Sequence, residues 1–281
     1  MKPRVMILVI FTAFVGMILA PDTISPINSF YILLSITLGA GSSAAINMWF
    51  DEDIDRSMER TKERPIPLGV ISKNEALLFG IITGFISLLV MFFFSNIFAT
   101  GLLLFTILFY VFIYTIWLKR MTSLNIVIGG AAGALPPIIG WAAVIPEISY
   151  LSISMFLIIF FWTPPHFWAL AVYRFNDYEK VKIPMLPNVI GIEDTKNQIV
   201  YYTIILILLS YTPFFSSLIG YIYLFAATLL NGILIFNAFK LKKSKEIENI
   251  ANKEGLKFFA ITIFYLFSIF ASLLTDNLFR L

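Results

Sequence analysis

Asn47, Asp51 and Asp55 are each four residues apart. On an α-helix that spacing stacks three side chains on one face. One amide and two carboxylates would then project together. Hard oxygen ligands of this kind suit Mg²⁺, which takes one or two carboxylates and leaves positions for water and substrate phosphate. Asp51, Glu52, Asp53 and Asp55 put four acids into five positions, and Arg56, Arg60, Lys62 and Arg64 put four bases into the next nine. Asn47, Arg60, Lys62 and Arg64 are candidates to bind a diphosphate, the cations by charge-assisted hydrogen bonds. The plainer alternative is a charge run that only faces water. Against it, Asn47 sits at the end of a stretch without charge from Ile24 to Phe50, and a polar group at membrane depth needs a partner.

A second cluster, Asn176-Asp177-Tyr178-Glu179, repeats part of this pattern. Pro187 follows Asp177 by ten residues, as Pro65 follows Asp55. A shift of 122 lays Asp177 on Asp55 but Tyr173 on Asp51, so the second cluster offers one firm carboxylate. The expected chemistry uses Asp51, Asp55 and Asp177 as catalytic, metal-binding residues. Asp51 and Asp55 would hold one Mg²⁺, and Asp177 with Asn176 or Glu179 another. Metal ions and the nearby bases, Arg174 and Lys182 among them, would stabilise a departing diphosphate and so generate an allylic cation. His166, the single histidine, lies in Trp162-Thr163-Pro164-Pro165-His166-Phe167-Trp168. Its imidazole is a candidate haem contact, set against the plainer role of a hydrogen-bonded packing residue. Pro164 and Pro165 are expected to break their helix and open a cavity.

These residues have to be positioned by membrane helices. The 281 residues are 59% hydrophobic and 13% charged, with a mean hydropathy of +0.88. Soluble domains carry about 25% charged residues. One all-α, polytopic membrane domain over residues 1–281 is therefore expected. Nine spans are read near 5–20, 28–47, 76–94, 97–117, 124–145, 149–172, 198–218, 220–239 and 257–275. With nine spans, every one of the 20 lysines and arginines except Arg280 falls on the face that carries the N-terminus and both acidic loops. The positive-inside rule makes that face cytoplasmic and leaves the C-terminus outside. The absence of cysteine excludes disulfides, thiolate catalysis and Cys-ligated metals. Nothing before Pro3 resembles a cleaved leader, which favours a prokaryotic cytoplasmic membrane. No nucleic-acid partner is expected.

Asn47-x₃-Asp51-x₃-Asp55, with a second acidic loop after span 6 of nine, resembles the UbiA superfamily of intramembrane prenyltransferases. Other strings narrow the resemblance to its haem-farnesylating branch. They are Lys2-Pro3-Arg4-Val5, Asp53-Ile54-Asp55 with Arg60-Thr61 and Arg64-Pro65, the Trp162–Leu170 string, and Asp177-Tyr178 before Ile183-Pro184-Met185-Leu186-Pro187. Two departures stand out: Tyr173 replaces an expected second acid, and Val181-Lys182 replaces a small residue and glycine. The resemblance implies a UbiA-like bundle that converts haem B, farnesyl diphosphate and water to haem O and diphosphate, with Mg²⁺ as cofactor and haem B as substrate. It also implies a haem A synthase or terminal-oxidase assembly factors as partners, besides the bilayer. Two alternatives differ in substrate or class. One is a related prenyltransferase with a quinone-precursor acceptor. The other is a transporter, whose ionisable residues would sit nearer mid-membrane.

Overall fold

The computed structural model describes residues 3–59, 61–180, 183–245 and 253–279. Among these, all regular structure is helical. The helices are α1 (Pro3–Ile18), α2 (Pro26–Phe50), α3 (Glu52–Ser57), α4 (Lys73–Phe94), α5 (Ile97–Leu108), α6 (Asn125–Ala134), α7 (Pro136–Val144), α8 (Tyr150–Tyr173), α9 (Phe175–Lys180), α10 (Leu186–Ile190), α11 (Ile192–Ser210), α12 (Tyr221–Lys243) and α13 (Lys253–Phe279). Among the described residues, eight segments are long and apolar enough to cross a membrane. They match spans two to nine of the sequence reading. α1 has 16 residues, or ~24 Å at 1.5 Å per residue, less than the ~30 Å hydrocarbon core.

Sequence signals explain where the helices start. Ser25 caps α2 by accepting from Asn28 N–H, with Pro26 in the first turn. Ser72 and Glu75 form a reciprocal capping box at α4. Pro136 and Pro137 divide span 5 into α6 and α7. α5 continues as a nine-residue π-helix, Phe109–Trp117, and then a turn of 3₁₀-helix, Leu118–Arg120. This last feature has no sequence signature of its own.

The chain forms two compact units, one from α1–α5 and α7, the other from α6 and α8–α13. In the first, α2 and α4 pack along small residues. Ser35 and Ser87 exchange hydroxyl-to-carbonyl bonds, both 2.7 Å, and Ser42 donates to Gly80 C=O at 2.6 Å. Such seams replace the hydrophobic drive that lipid cannot supply. α1 and α7 approach more closely still. A Cβ on Gly16 would stand 2.1 Å from the Pro137 carbonyl oxygen, and one on Gly140 2.0 Å from that of Ala13. Only glycine fits either place.

In the second unit α8 is central, packed by α6, α11 and α13. The helix break expected at Pro164-Pro165 does not occur, since α8 runs without interruption from Tyr150 to Tyr173. A neighbour and a hydroxyl side chain support it around the prolines. Trp162 Nε1 donates to Thr262 C=O of α13 at 2.7 Å, and Thr163 Oγ1 bonds back to Ile159 C=O at 2.8 Å. Packed neighbours and hydroxyl side chains are what let prolines sit inside membrane helices.

Candidate functional site

In the first unit, α2 ends at Phe50 and α3 begins at Glu52, with Asp51 as the joint (φ −92°, ψ 14°). The helical ladder nevertheless continues across it. Asp51 N–H reaches Asn47 C=O at 3.0 Å, and Asp55 N–H reaches Asp51 C=O at 2.8 Å. The i, i+4, i+8 row is therefore preserved. Asn47, Asp51 and Asp55 are 2%, 1% and 4% exposed, whereas the Asp53 side chain, on the other face, is 59% exposed.

Each buried carboxylate is met by a cation. Lys119 Nζ donates to Asp51 Oδ2, as does Asn47 Nδ2 at 2.7 Å. Arg64 Nη1 donates to Asp55 Oδ2 at 2.5 Å. The second oxygen of Asp51, Oδ1, is buried without a hydrogen-bond partner; the Arg120 guanidinium stands 3.7 Å away, in charge range only. A buried carboxylate oxygen left unspent costs free energy unless something else engages it. The row also reaches the π-helix. Asn47 Nδ2 donates to Thr115 Oγ1 at 3.2 Å, and Thr115 donates in turn to Tyr110 C=O at 2.9 Å. π-Helical turns recur at functional sites, and this one leads directly into Lys119 and Arg120.

Arg120 forks onto Asp53 with bonds of 2.8 and 2.9 Å and lies 5.0 Å over the Phe50 ring. The bonds from Arg120 hold the Asp53 carboxyl below the usual carboxylate range. Lys62 is exposed and pairs with Glu59 at 2.5 Å, so it does not join the buried group. Arg60 lies outside the described residues. Lys119, Arg120 and Thr115 were not among the residues expected from sequence. Lys119 and Arg120 were counted there only as orienting charge. The signal that could have found them is a pair of bases at the end of a span on the same face as the acidic loop.

In the second unit, α8 ends at a similar joint, Arg174 (φ −106°, ψ 27°), followed by the six-residue α9, as Asp51 is followed by the six-residue α3. The residue at the joint is thus an arginine where the first unit has an aspartate. Asp177 is 15% exposed and accepts from Arg174 Nη1 at 3.2 Å. Asn176 and Glu179 are exposed. Lys182 lies outside the described residues. His166 is buried, with its ring between Trp162 (centroids 4.1 Å) and Phe259 (4.3 Å), both stacked. Its Nδ1 is 2.7 Å from Thr262 Oγ1.

Among the described residues no group of three or more His, Cys, Asp or Glu side chains is placed to hold a metal. The first unit offers two buried carboxylates, one with a free oxygen. That donor set fits Mg²⁺, which shares its sphere with water and phosphate, and would not fit a metal that needs a protein cage.

The profile of the UbiA prenyltransferase family matches residues 9–270. The chain is 52% identical over 277 residues to the protoheme IX farnesyltransferase of Rickettsia rickettsii (strain Iowa), covering 99% of this chain and 90% of that one. In fold it is similar to a digeranylgeranylglyceryl phosphate synthase (TM-score 0.79, 19% identity, 97% of this chain and 94% of that one). It is also similar to a UbiA homologue from Archaeoglobus fulgidus bound to GPP and Mg²⁺ (TM-score 0.67, 18% identity, 96% of each).

Proposed function

We propose that this chain, which belongs to the UbiA prenyltransferase family, is a multi-pass membrane enzyme that makes haem O and diphosphate from haem B, farnesyl diphosphate and water. The single structural observation behind the reading is the buried row Asn47–Asp51–Asp55 with an unspent Asp51 oxygen. The acceptor and donor are those in the name of its 52% identical relative. The quinone-precursor and transporter alternatives have no comparable support.

Mg²⁺ would be held by Asp51 and Asp55, and when bound it would offset the charge of the leaving diphosphate. Asn47 keeps Asp51 oriented through its 2.7 Å bond. Lys119 and Arg64, which neutralise the two carboxylates, are the cations nearest an arriving diphosphate and would bind its oxygens. The C1–O bond of farnesyl diphosphate breaks and its electron pair leaves with diphosphate. A vinyl group of the porphyrin supplies the electrons for the new carbon–carbon bond. Water adds to the resulting cation and releases one proton. Asp177, which Arg174 holds, supplies the second loop's carboxylate. His166 is the candidate contact for the porphyrin, held by Thr262 and flanked by Trp162 and Phe259. Residues 1–281 serve this one reaction as a single domain.

The charge distribution supports a cytoplasmic N-terminus and cytoplasmic acidic loops, in a prokaryotic cell membrane. A haem A synthase or terminal-oxidase assembly factors are the natural recipients of haem O. The test is to incubate the purified chain with Mg²⁺, farnesyl diphosphate and haem B and to weigh the porphyrin. A haem that has gained one farnesyl group and one hydroxyl is expected. An unchanged haem, with a quinone precursor prenylated instead, would overturn the acceptor.

A further inference from the structure

His166 is the one histidine of the chain, and the bonds around it decide which ring nitrogen carries the proton. Nδ1 lies 2.7 Å from Thr262 Oγ1. The same hydroxyl oxygen lies 2.7 Å from Phe259 C=O, three residues back on α13. A hydroxyl has one proton to give, and a carbonyl can only accept. If Thr262 donates to Phe259, it accepts from Nδ1–H, and both contacts are hydrogen bonds. If it donates to Nδ1 instead, the Phe259 contact is no bond and the ring proton sits on Nε2. Nε2 has no acceptor among the described residues. The first arrangement makes one bond more and strands no donor, a preference of roughly tenfold or more.

Thr262 also holds the ring in place. Its carbonyl accepts from Trp162 Nε1 at 2.7 Å, and Trp162 lies one turn before His166 on α8, stacked on the imidazole at 4.1 Å between centroids. Phe259 stacks on the other face at 4.3 Å. Both faces of the imidazole are thus covered and Nδ1 is spent. Nε2 is not one of the buried atoms without a partner, so it is the open edge of a ring that is otherwise 6% exposed.

An imidazole with its proton held at one nitrogen and a lone pair at the other is the form that binds metals, and the group holding the proton sets which nitrogen does so. The porphyrin acceptor has iron at its centre. An approach along the Nε2 lone pair, in the plane of the ring, is the one that two stacked neighbours permit.

We infer that Thr262 is a positioning residue: it fixes His166 as the Nδ1–H tautomer, so that Nε2 ligates the metal of the porphyrin acceptor. The inference rests on the functional reading above and deepens it.

The experiment labels the full chain with ¹⁵N-histidine, which reports on His166 alone. Without porphyrin, the ¹⁵N spectrum is expected to show a protonated Nδ1 and an unprotonated Nε2. Zinc protoporphyrin IX, a diamagnetic stand-in for haem B, should shift the Nε2 resonance and leave Nδ1 protonated. Thr262→Val keeps the shape but removes the acceptor for Nδ1–H. It should move the proton toward Nε2 and weaken porphyrin binding by about tenfold, the scale of one hydrogen bond. Thr262→Ser should restore both the tautomer and the affinity, and neither variant should change the affinity for farnesyl diphosphate. A folding defect would lower both affinities and would not be rescued by serine. A protonated Nε2 in wild type would overturn the inference. So would a bound porphyrin that leaves Nε2 unmoved, or a Thr262→Val variant with the tautomer and affinity of wild type; the functional reading survives all three. If wild type binds no porphyrin at all, the functional reading fails and this inference with it.

Discussion

The joint after α2 and the joint after α8 are built alike and equipped differently. Each is one residue in a near-helical bend followed by a six-residue helix. At the first, the bend is Asp51, 1% exposed, with Asp55 one turn on and a lysine and an arginine brought to them. At the second, the bend is Arg174, and the acid that accepts from it is Asp177 at 15% exposure. One backbone plan therefore carries a pair of buried carboxylates in one unit, the cation site of the proposed function, and an arginine in the other. What decides between them is the sign of the residue at the bend and how deeply its neighbours are buried.

The largest expected effect tests that asymmetry. Asp51→Asn should lower turnover by about a thousandfold or more, the scale of losing a charged group that acts in the transition state. Asp177→Asn should cost roughly tenfold to fiftyfold on the same basis. Steady-state kinetics at saturating Mg²⁺ checks both, and equal losses would mean that the joints are equivalent. The asparagine variant is the right one here. Asp51 and Asp55 are buried in ion pairs, so alanine would strand Lys119 or Arg64 beside a hole and cost stability as well.

Next come the cations. Lys119→Met and Arg64→Gln should each raise the farnesyl diphosphate KM, by about tenfold to a hundredfold for a lost charged hydrogen bond, and leave the haem B KM unchanged. A shift in the haem constant instead would move these residues to the acceptor. Topology supplies a qualitative check. Cysteines placed at Ser57 and Lys180 of this cysteine-free chain should both resist an impermeant thiol reagent in intact cells. Labelling of either from outside would reverse the orientation.

The smallest effect concerns Asp53. It is 59% exposed and tied to Arg120, so a double-mutant cycle of Asp53→Asn and Arg120→Gln should give a coupling of only about 0.2–1 kcal/mol in stability. Turnover should fall less than about threefold for Asp53→Asn, well short of the loss expected at Asp51. A loss as large as that of Asp51→Asn would show that helical register does not select the ligands.

Much of the first site could be read from sequence because a four-residue spacing survives a one-residue bend. Charge-free runs marked the spans, and the Asp51 row followed from periodicity alone. Thr115 could not be read, because it reaches the row through a π-helix and its nonstandard turn. The Pro164-Pro165 pair misled for a related reason. Proline reports a missing donor and a local clash, but not the tertiary contacts, such as Trp162 to Thr262, that keep α8 continuous.

The most direct test of the donor–acceptor division is a binding titration of farnesyl diphosphate, in Mg²⁺ and without acceptor, into wild type, Asp51→Asn and His166→Ala. Affinity is expected to collapse in Asp51→Asn and to match wild type in His166→Ala. Binding that survives in Asp51→Asn, or that falls equally in His166→Ala, would contradict the assignment of the donor to Asp51 and of the acceptor to His166.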